Sequence, residues 1–137
     1  MKAAILRERQ KALEVHNDVE VLDLGPGDVH VRLVASGVCH SDLSAQNGTL
    51  PGPLPCVLGH EGAGIVLEVG SGVQGLSSGD HVIASFTPAC GTCRRCLGGQ
   101  PYLCEMMHRI SQATRFRVGK EEIAGFCGLG TFAEEMV

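Results

Sequence analysis

Tryptophan is absent from this chain of 137 residues, tyrosine occurs once and phenylalanine four times, so aromatics make up only 4%. A core built without large rings must come from valine, leucine, isoleucine and alanine, and a hydrophobic content of 44% supplies enough of them. No apolar run approaches the roughly 18 residues that would span a bilayer as a helix. No secretory signal peptide is expected at the chain's start. Positive charge is scarce, with 11 Lys and Arg against 15 Asp and Glu and a net charge of −4. That balance argues against nucleic acid or an anionic membrane as the main partner. The one basic stretch, from Arg109 to Lys120, is diluted by Glu121 and Glu122 and reads as a solvated loop.

Glycine and cysteine are the residues in surplus. Nineteen glycines point to turns, bulges and close backbone approaches. Seven cysteines, an odd count without a secretory segment, indicate a reducing compartment, with the cytoplasm as the expected location. Four of them lie within one short run, Cys90-Gly-Thr-Cys93-Arg-Arg-Cys96-Leu-Gly-Gly-Gln-Pro-Tyr-Leu-Cys104. Thiolates at these spacings, separated by glycines that let the backbone wrap, can surround one tetrahedral ion. A closed shell of four leaves no open coordination position, which suits structural zinc in a lobe spanning residues 88–106. An iron–sulfur cluster ranks lower, because the bacterial run ends in a three-residue gap and Cys-Pro; here Glu105 follows the last cysteine. Disulfides rank lowest, since they belong to oxidising compartments.

The remaining pattern is mainly β. Lys2–Leu6 is a short apolar start, and Asp28–Val38 alternates through Val29, Val31 and Leu33 as a half-buried strand does. Gly64–Val69, Gly79–Ser85 and Thr131–Val137 read as further strands, and Ser41–Gln46 as a helix stopped by Asn47-Gly48. Short strands joined by glycine-rich turns suggest a small antiparallel barrel or sandwich. Gly70-Ser-Gly72-Val-Gln-Gly75 matches the G-x-G-x-x-G pattern, but that motif has meaning only where a helix follows it. Leu76-Ser-Ser-Gly-Asp80 and another strand follow, so a hairpin connection is the better reading. The chain stops within the apolar run ending Met136-Val137, which suggests a fragment of something longer.

Two more potential ligands sit at the ends of expected strands, Cys39 in Val38-Cys39-His40-Ser41-Asp42 and His60 in Leu58-Gly59-His60-Glu61-Gly62. Each alone has a plain explanation as a packed residue. Together, beside small residues and carboxylates, they form a candidate thiolate–imidazole site.

These motifs, followed by the four-cysteine lobe, Gly79-Asp80-His81-Val82 and Gly130-Thr131-Phe132-Ala133, resemble the zinc-dependent medium-chain alcohol dehydrogenases. The resemblance runs from Met1 to Val137. It implies a GroES-like, partly open antiparallel β-barrel with short helices, the catalytic domain of an NAD(P)-dependent enzyme. It also implies a nucleotide-binding domain beyond this chain, a primary alcohol or aldehyde as small-molecule substrate, and a homo-oligomeric parent. Neither nucleic acid nor a membrane is expected as a partner. One zinc would be structural and one catalytic.

Carried over by position, Cys39 and His60 would ligate the catalytic zinc, with a third cysteine beyond Val137. Cys127 is a less favoured substitute for that third ligand. Glu61 would lie beside the metal, and Asp42 would hydrogen-bond the second nitrogen of His60, while also serving as a helix-start acid. Ser41 would take the alcohol proton and pass it outwards, although it also suits a helix cap. His40 falls where relatives place arginine or histidine near the cofactor pyrophosphate. Histidine holds phosphate less firmly than arginine, so cofactor affinity should be more pH-sensitive. Ser44 stands where some relatives have a histidine that completes the proton path. Leu50 and Phe86 would line the substrate cleft, favouring a medium-length or aromatic alcohol. A thiol-adduct formaldehyde dehydrogenase of the same family, or a non-catalytic zinc-stabilised β module, are the competing readings.

Overall fold

A computed structural model describes all residues from Met1 to Val137 and contains two sheets rather than one closed barrel. The first is six-stranded, in the order β2 (Glu14–His16), β1 (Ala3–Leu6), β5 (Cys56–Val57), β9 (Glu121–Gly125), β8 (Thr114–Val118), β3 (Glu20–Val21). The second is four-stranded, in the order β10 (Glu135–Met136), β4 (Val29–Gly37), β6 (Glu61–Val69), β7 (His81–Ile83). All pairs are antiparallel except β5 with β9, which run parallel with Val57 opposite Gly125. A bridge between Ala3 and Ala133 links the first sheet to the segment before β10, flanked by hydrogen bonds from the Ala4 N–H to the Phe132 carbonyl at 2.8 Å and from the Glu134 N–H to the Lys2 carbonyl at 3.0 Å. The main core lies between them and includes Ile5, Val19, Val31, Val57, Phe116 and Ile123. As the composition requires, only one of these carries an aromatic ring. No helix is long and apolar enough to cross a membrane.

Helix α1 (His40–Asn47) takes the place expected for it and ends at Gly48, whose φ of 91° is the left-handed stop that glycine adopts without strain. The glycine-rich stretch after β6 carries no helix. Residues 70–80 connect β6 to β7, which pair antiparallel with Ile65 opposite His81. The dinucleotide-like pattern is therefore a loop.

Two expectations need correction. The basic stretch from Arg109 to Lys120 is not a solvated loop. It contains the end of helix α3 (Met107–Ser111) and all of β8, which is hairpinned to β9 through Gly119-Lys120. Phe116 at its centre is fully buried, while Arg115 pairs with Asp28 at 3.0 Å and Arg117 with Glu20 at 2.7 Å. Partnered arginines on alternate positions are compatible with a strand, and here they masked the alternation of Phe116 and Val118.

The last strand is also shorter than Thr131–Val137. Only Glu135–Met136 pairs with β4 as a ladder. Thr131 and Phe132 instead donate their backbone N–H groups to the carbonyls of Gly59 and Leu58, at 2.9 Å each. The Thr131 hydroxyl meets Ser36 Oγ at 2.7 Å. This segment crosses from one sheet to the other, and the crossing fixes the residues just before His60.

Candidate metal centres

The four-cysteine lobe is local in origin. Cys93 opens the single turn α2 (Arg94–Leu97), and a 3-10 turn at Pro101–Leu103 delivers Cys104. The sulfurs of Cys90, Cys93, Cys96 and Cys104 all lie within 4.8 Å of one another. Cys93 Sγ is 3.5 Å from Cys96 Sγ, close to the about 3.8 Å expected of two thiolates on one tetrahedral zinc.

Backbone amides point at the sulfurs, from Cys93 to Cys90 at 3.3 Å, from Cys90 to Cys104 at 3.3 Å and from Met106 to Cys104 at 3.4 Å. Donors aimed at sulfur favour the thiolate. The amide and hydroxyl of Thr92, and the amide of Cys93, lower the Cys90 pKa to about 6. Cys96 moves the other way, to about 12, because it loses hydration among the other sulfurs. Four thiolates this close repel one another, and a dication removes that conflict. The donor set fits structural zinc.

The second group assembles over a longer range. Cys39 is the N-cap of α1, placed by the end of β4, and His60 immediately precedes β6. The register of β4 with β6, with Gly37 opposite Glu61, sets the two loops side by side. One ligand atom each from Cys39, His60 and Glu61 lies within 4.8 Å of the others. His60 is buried, Cys39 half-buried and Glu61 exposed, so the group opens to one side.

Asp42, itself only 4% exposed, holds this arrangement from behind. Its Oδ2 accepts the Cys39 N–H at 3.0 Å and its Oδ1 accepts the Gly59 N–H at 2.9 Å. One carboxylate therefore ties the backbone at one ligand to the residue before the other. The Asp42–His60 contact is weaker than the sequence suggests. Oδ1 lies 3.4 Å from Nδ1, within ion-pair range but too long for a good N–H···O bond, and Nδ1 is buried without a hydrogen-bond partner. A thiolate, an imidazole and a carboxylate with one open side suit zinc, and a buried imidazole in search of polar partners is consistent with a ligand role.

Ser41 Oγ lies 3.6 Å from Cys39 Sγ. His40 is exposed, and its Nδ1 meets Ser44 Oγ at 3.3 Å, one turn along α1. Phe86 packs edge-on against the His60 ring, with centroids 6.1 Å apart, and shares with His60 and Glu61 a cleft of about 310 Å³. Leu50 is not brought to that cleft. It lines a separate pocket with Leu6, Arg9, Ala45 and Phe126. Cys127 is not among the converging ligand atoms either, and faces a cavity of about 330 Å³ bordered by Val31, Leu129 and Met136.

Sequence reading missed Phe126, whose ring stands edge-on to His60 with centroids 5.2 Å apart. Nothing in Gly125-Phe126-Cys127-Gly128 announces that contact; it depends on the parallel pairing of β5 and β9.

Comparison with known proteins agrees with this architecture. The family described as the alcohol dehydrogenase GroES-like domain matches residues 25–137. The NDMA-dependent alcohol dehydrogenase of Amycolatopsis methanolica is 42% identical over 142 residues, covering 97% of this chain and 37% of that protein. The S-(hydroxymethyl)glutathione dehydrogenase of Candida maltosa is 40% identical over 145 residues, covering 99% and 38% respectively. Among solved structures, benzyl alcohol dehydrogenase of Acinetobacter calcoaceticus superposes with a TM-score of 0.85 at 31% identity, covering 98% of this chain and 38% of that one. The chain thus spans little more than a third of the length of these relatives. With the family match covering most of the residues and both cysteine-containing groups folded together, the chain belongs to the alcohol dehydrogenase GroES-like domain family.

Proposed function

We propose that this chain is the catalytic-domain portion of a zinc-dependent oxidoreductase that moves a hydride between a primary alcohol, or its aldehyde, and NAD(P). The observation that carries the reading is the convergence of Cys39, His60 and Glu61 within 4.8 Å of one another, the last two lining a cleft, with Asp42 buried beside them. Cys39 and His60 would hold the catalytic zinc, with Glu61 beside it; Cys90, Cys93, Cys96 and Cys104 would hold the structural one. When bound, the catalytic metal supplies Lewis acidity toward the substrate oxygen and the nicotinamide accepts the hydride.

The protein's own part is positional. Ser41, next to the ligand thiolate, is placed to accept the substrate proton and hand it outwards. His40 is the cofactor-phosphate contact in this reading, and Ser44 braces it from one turn away. The cleft wall of Phe86, Ile83 and Ala84 is apolar, which favours an aromatic or medium-length alcohol. The fold neighbour named for benzyl alcohol supports the same preference. A nucleotide-binding domain outside residues 1–137, a third cysteine ligand, homo-oligomeric assembly and a cytoplasmic location complete the proposal.

An absorbance assay for NADH with a panel of primary alcohols tests it. A longer parent protein should turn over, whereas the 137-residue chain with added zinc should not. Steady NADH production by this chain alone, above a metal-only control, would overturn the division of labour. The similarity to an S-(hydroxymethyl)glutathione dehydrogenase supports a second reading. A rate with formaldehyde that requires added glutathione would favour it over simple alcohol oxidation.

A further inference from the structure

We propose that Phe126 is a positioning residue for the candidate catalytic metal site, fixing the plane of the His60 imidazole through an edge-to-face contact. The inference rests on reading Cys39, His60 and Glu61 as metal ligands and concerns what holds the central one in place.

A histidine ring turns about a broad, roughly two-fold torsion, so its plane must be set by its neighbours. The usual device is a hydrogen bond at the non-ligating nitrogen. Here that device is weak, because Asp42 directs Oδ1 to the Gly59 N–H and Oδ2 to the Cys39 N–H, leaving Nδ1 at 3.4 Å. Nδ1 makes no hydrogen bond although it is fully buried. Polar contacts locate the backbone at the ligands but leave the ring plane loosely determined.

Two aromatic edges remain. Phe86 and Phe126 meet the His60 ring at interplanar angles of 77° and 83°. Both separations fall in the range favoured by T-shaped pairs, and the shorter belongs to Phe126, 5.2 Å against 6.1 Å. The two rings differ more in how they are held. Phe86 is 62% exposed and follows the short β7. Phe126 packs against the buried cluster of Leu6, Ala45, Cys56, Leu58 and Ala124.

Its backbone is equally constrained. The parallel register of Val57 with Gly125 carries Phe126 alongside the run that leads to His60. Its carbonyl accepts the N–H groups of Leu129 at 3.0 Å and Gly130 at 3.3 Å. The turn between is tight, with Cys127 at φ 57° and Gly128 at φ 76°, and a Cβ on Gly128 would meet the Ile110 carbonyl oxygen at 2.5 Å. A ring so anchored acts as a fixed wall, and the imidazole lies across it with Nδ1 toward Asp42 and its other nitrogen free to turn to the metal.

Cobalt(II) titration of a longer parent protein that supplies the third ligand tests this, comparing wild type with Phe126→Leu and Phe126→Tyr and reading affinity by chelator competition and geometry by the visible d–d bands. The four-thiolate lobe, with its stronger thiolate charge-transfer bands, reports folding in the same sample. Phe126→Leu should weaken the mixed site about three- to tenfold and change its band shape while the lobe is untouched. Phe126→Tyr, which keeps the ring, should restore both. The inference is overturned if the leucine variant matches wild type, if it loses metal equally from both sites, or if tyrosine fails to rescue. Uptake of a single metal by wild type would instead overturn the reading of the mixed site itself, and this inference with it.

Discussion

The two cysteine-containing groups differ in how far the chain travels to build them. The lobe draws its four sulfurs from residues 90–104, through one helical turn, a 3-10 turn and amides aimed at sulfur. The mixed site draws Cys39 and His60 from opposite strands of a sheet and ties them with one buried carboxylate. The lobe is half-exposed, and a bound cation would hold its thiolates together. The mixed site has a rigid frame first and ligands second. A structural metal can replace a core, whereas a reactive metal with an open side needs a core already in place.

Cys93→Ser should break the comparison most severely on the lobe side. Structural zinc contributes on the order of 10 kcal/mol to such sites, so this variant should lose one equivalent of zinc and show a markedly lower melting temperature. Unchanged zinc content by atomic absorption, with unchanged melting, would contradict the lobe assignment.

Asp42→Ala strikes the frame of the other site. Leaving the amides of Cys39 and Gly59 without their acceptor should cost about 2–4 kcal/mol in stability and weaken the mixed site roughly 10- to 100-fold. Lobe zinc should stay in place. Denaturant melts and chelator competition read the two effects separately, and equal loss at both sites would erase the distinction between them.

A smaller effect is expected from Gly59→Ala. Gly59 has φ 87°, and a Cβ there would meet the Phe132 amide nitrogen at 2.7 Å. The substitution should cost about 2–3 kcal/mol through backbone strain and displacement of the crossing segment, measurable by urea denaturation. A neutral result would mean that the crossing does not constrain the approach to His60.

Thiol chemistry sharpens the contrast without a large change in stability. With zinc removed, Cys90, lowered to about 6, is mostly thiolate at neutral pH and should alkylate readily. Cys56, raised to about 12 chiefly by burial, stays protonated and enclosed until the fold opens. Its proton is held more tightly folded than unfolded, so its influence is absent below the ordinary thiol pKa and destabilises the fold only as pH rises above it. Peptide mapping after iodoacetamide at neutral pH should find Cys90 labelled and Cys56 spared. The reverse order would contradict both placements.

Least of all should follow from Arg117→Ala. Its pair with Glu20 is exposed, and solvent screening leaves such pairs little net effect on stability. A thermal melt should barely move; a large drop would mean that β8 depends on that charge rather than on Phe116.

Much of the frame was legible from residue pattern alone, and what was hidden shares a cause. The strands around Ala3, Val31 and Val66 alternate or run apolar, and Gly48 marks the end of α1. The strand at Thr114–Val118 was concealed because Arg115 and Arg117 look solvated until Asp28 and Glu20 are seen across from them. The two-residue strand Cys56–Val57 has too little length for a periodic signal, yet it carries the one parallel pairing in the fold.

Whatever depends on short separations along the chain was readable from the residues alone. They placed four thiols within reach of one ion, a glycine where a helix must stop, and no helix after Gly70-Ser-Gly72, because local chain geometry limits such segments to few arrangements. What depends on pairing across the sheets emerged with the three-dimensional fold. Those outcomes are Leu50 in a different pocket from Phe86, Cys127 outside the ligand group, Asp42 spent on two backbone amides, and Phe126 against His60. Each turns on register and loop path, which shift contacts by whole residues and leave little trace in the residues themselves.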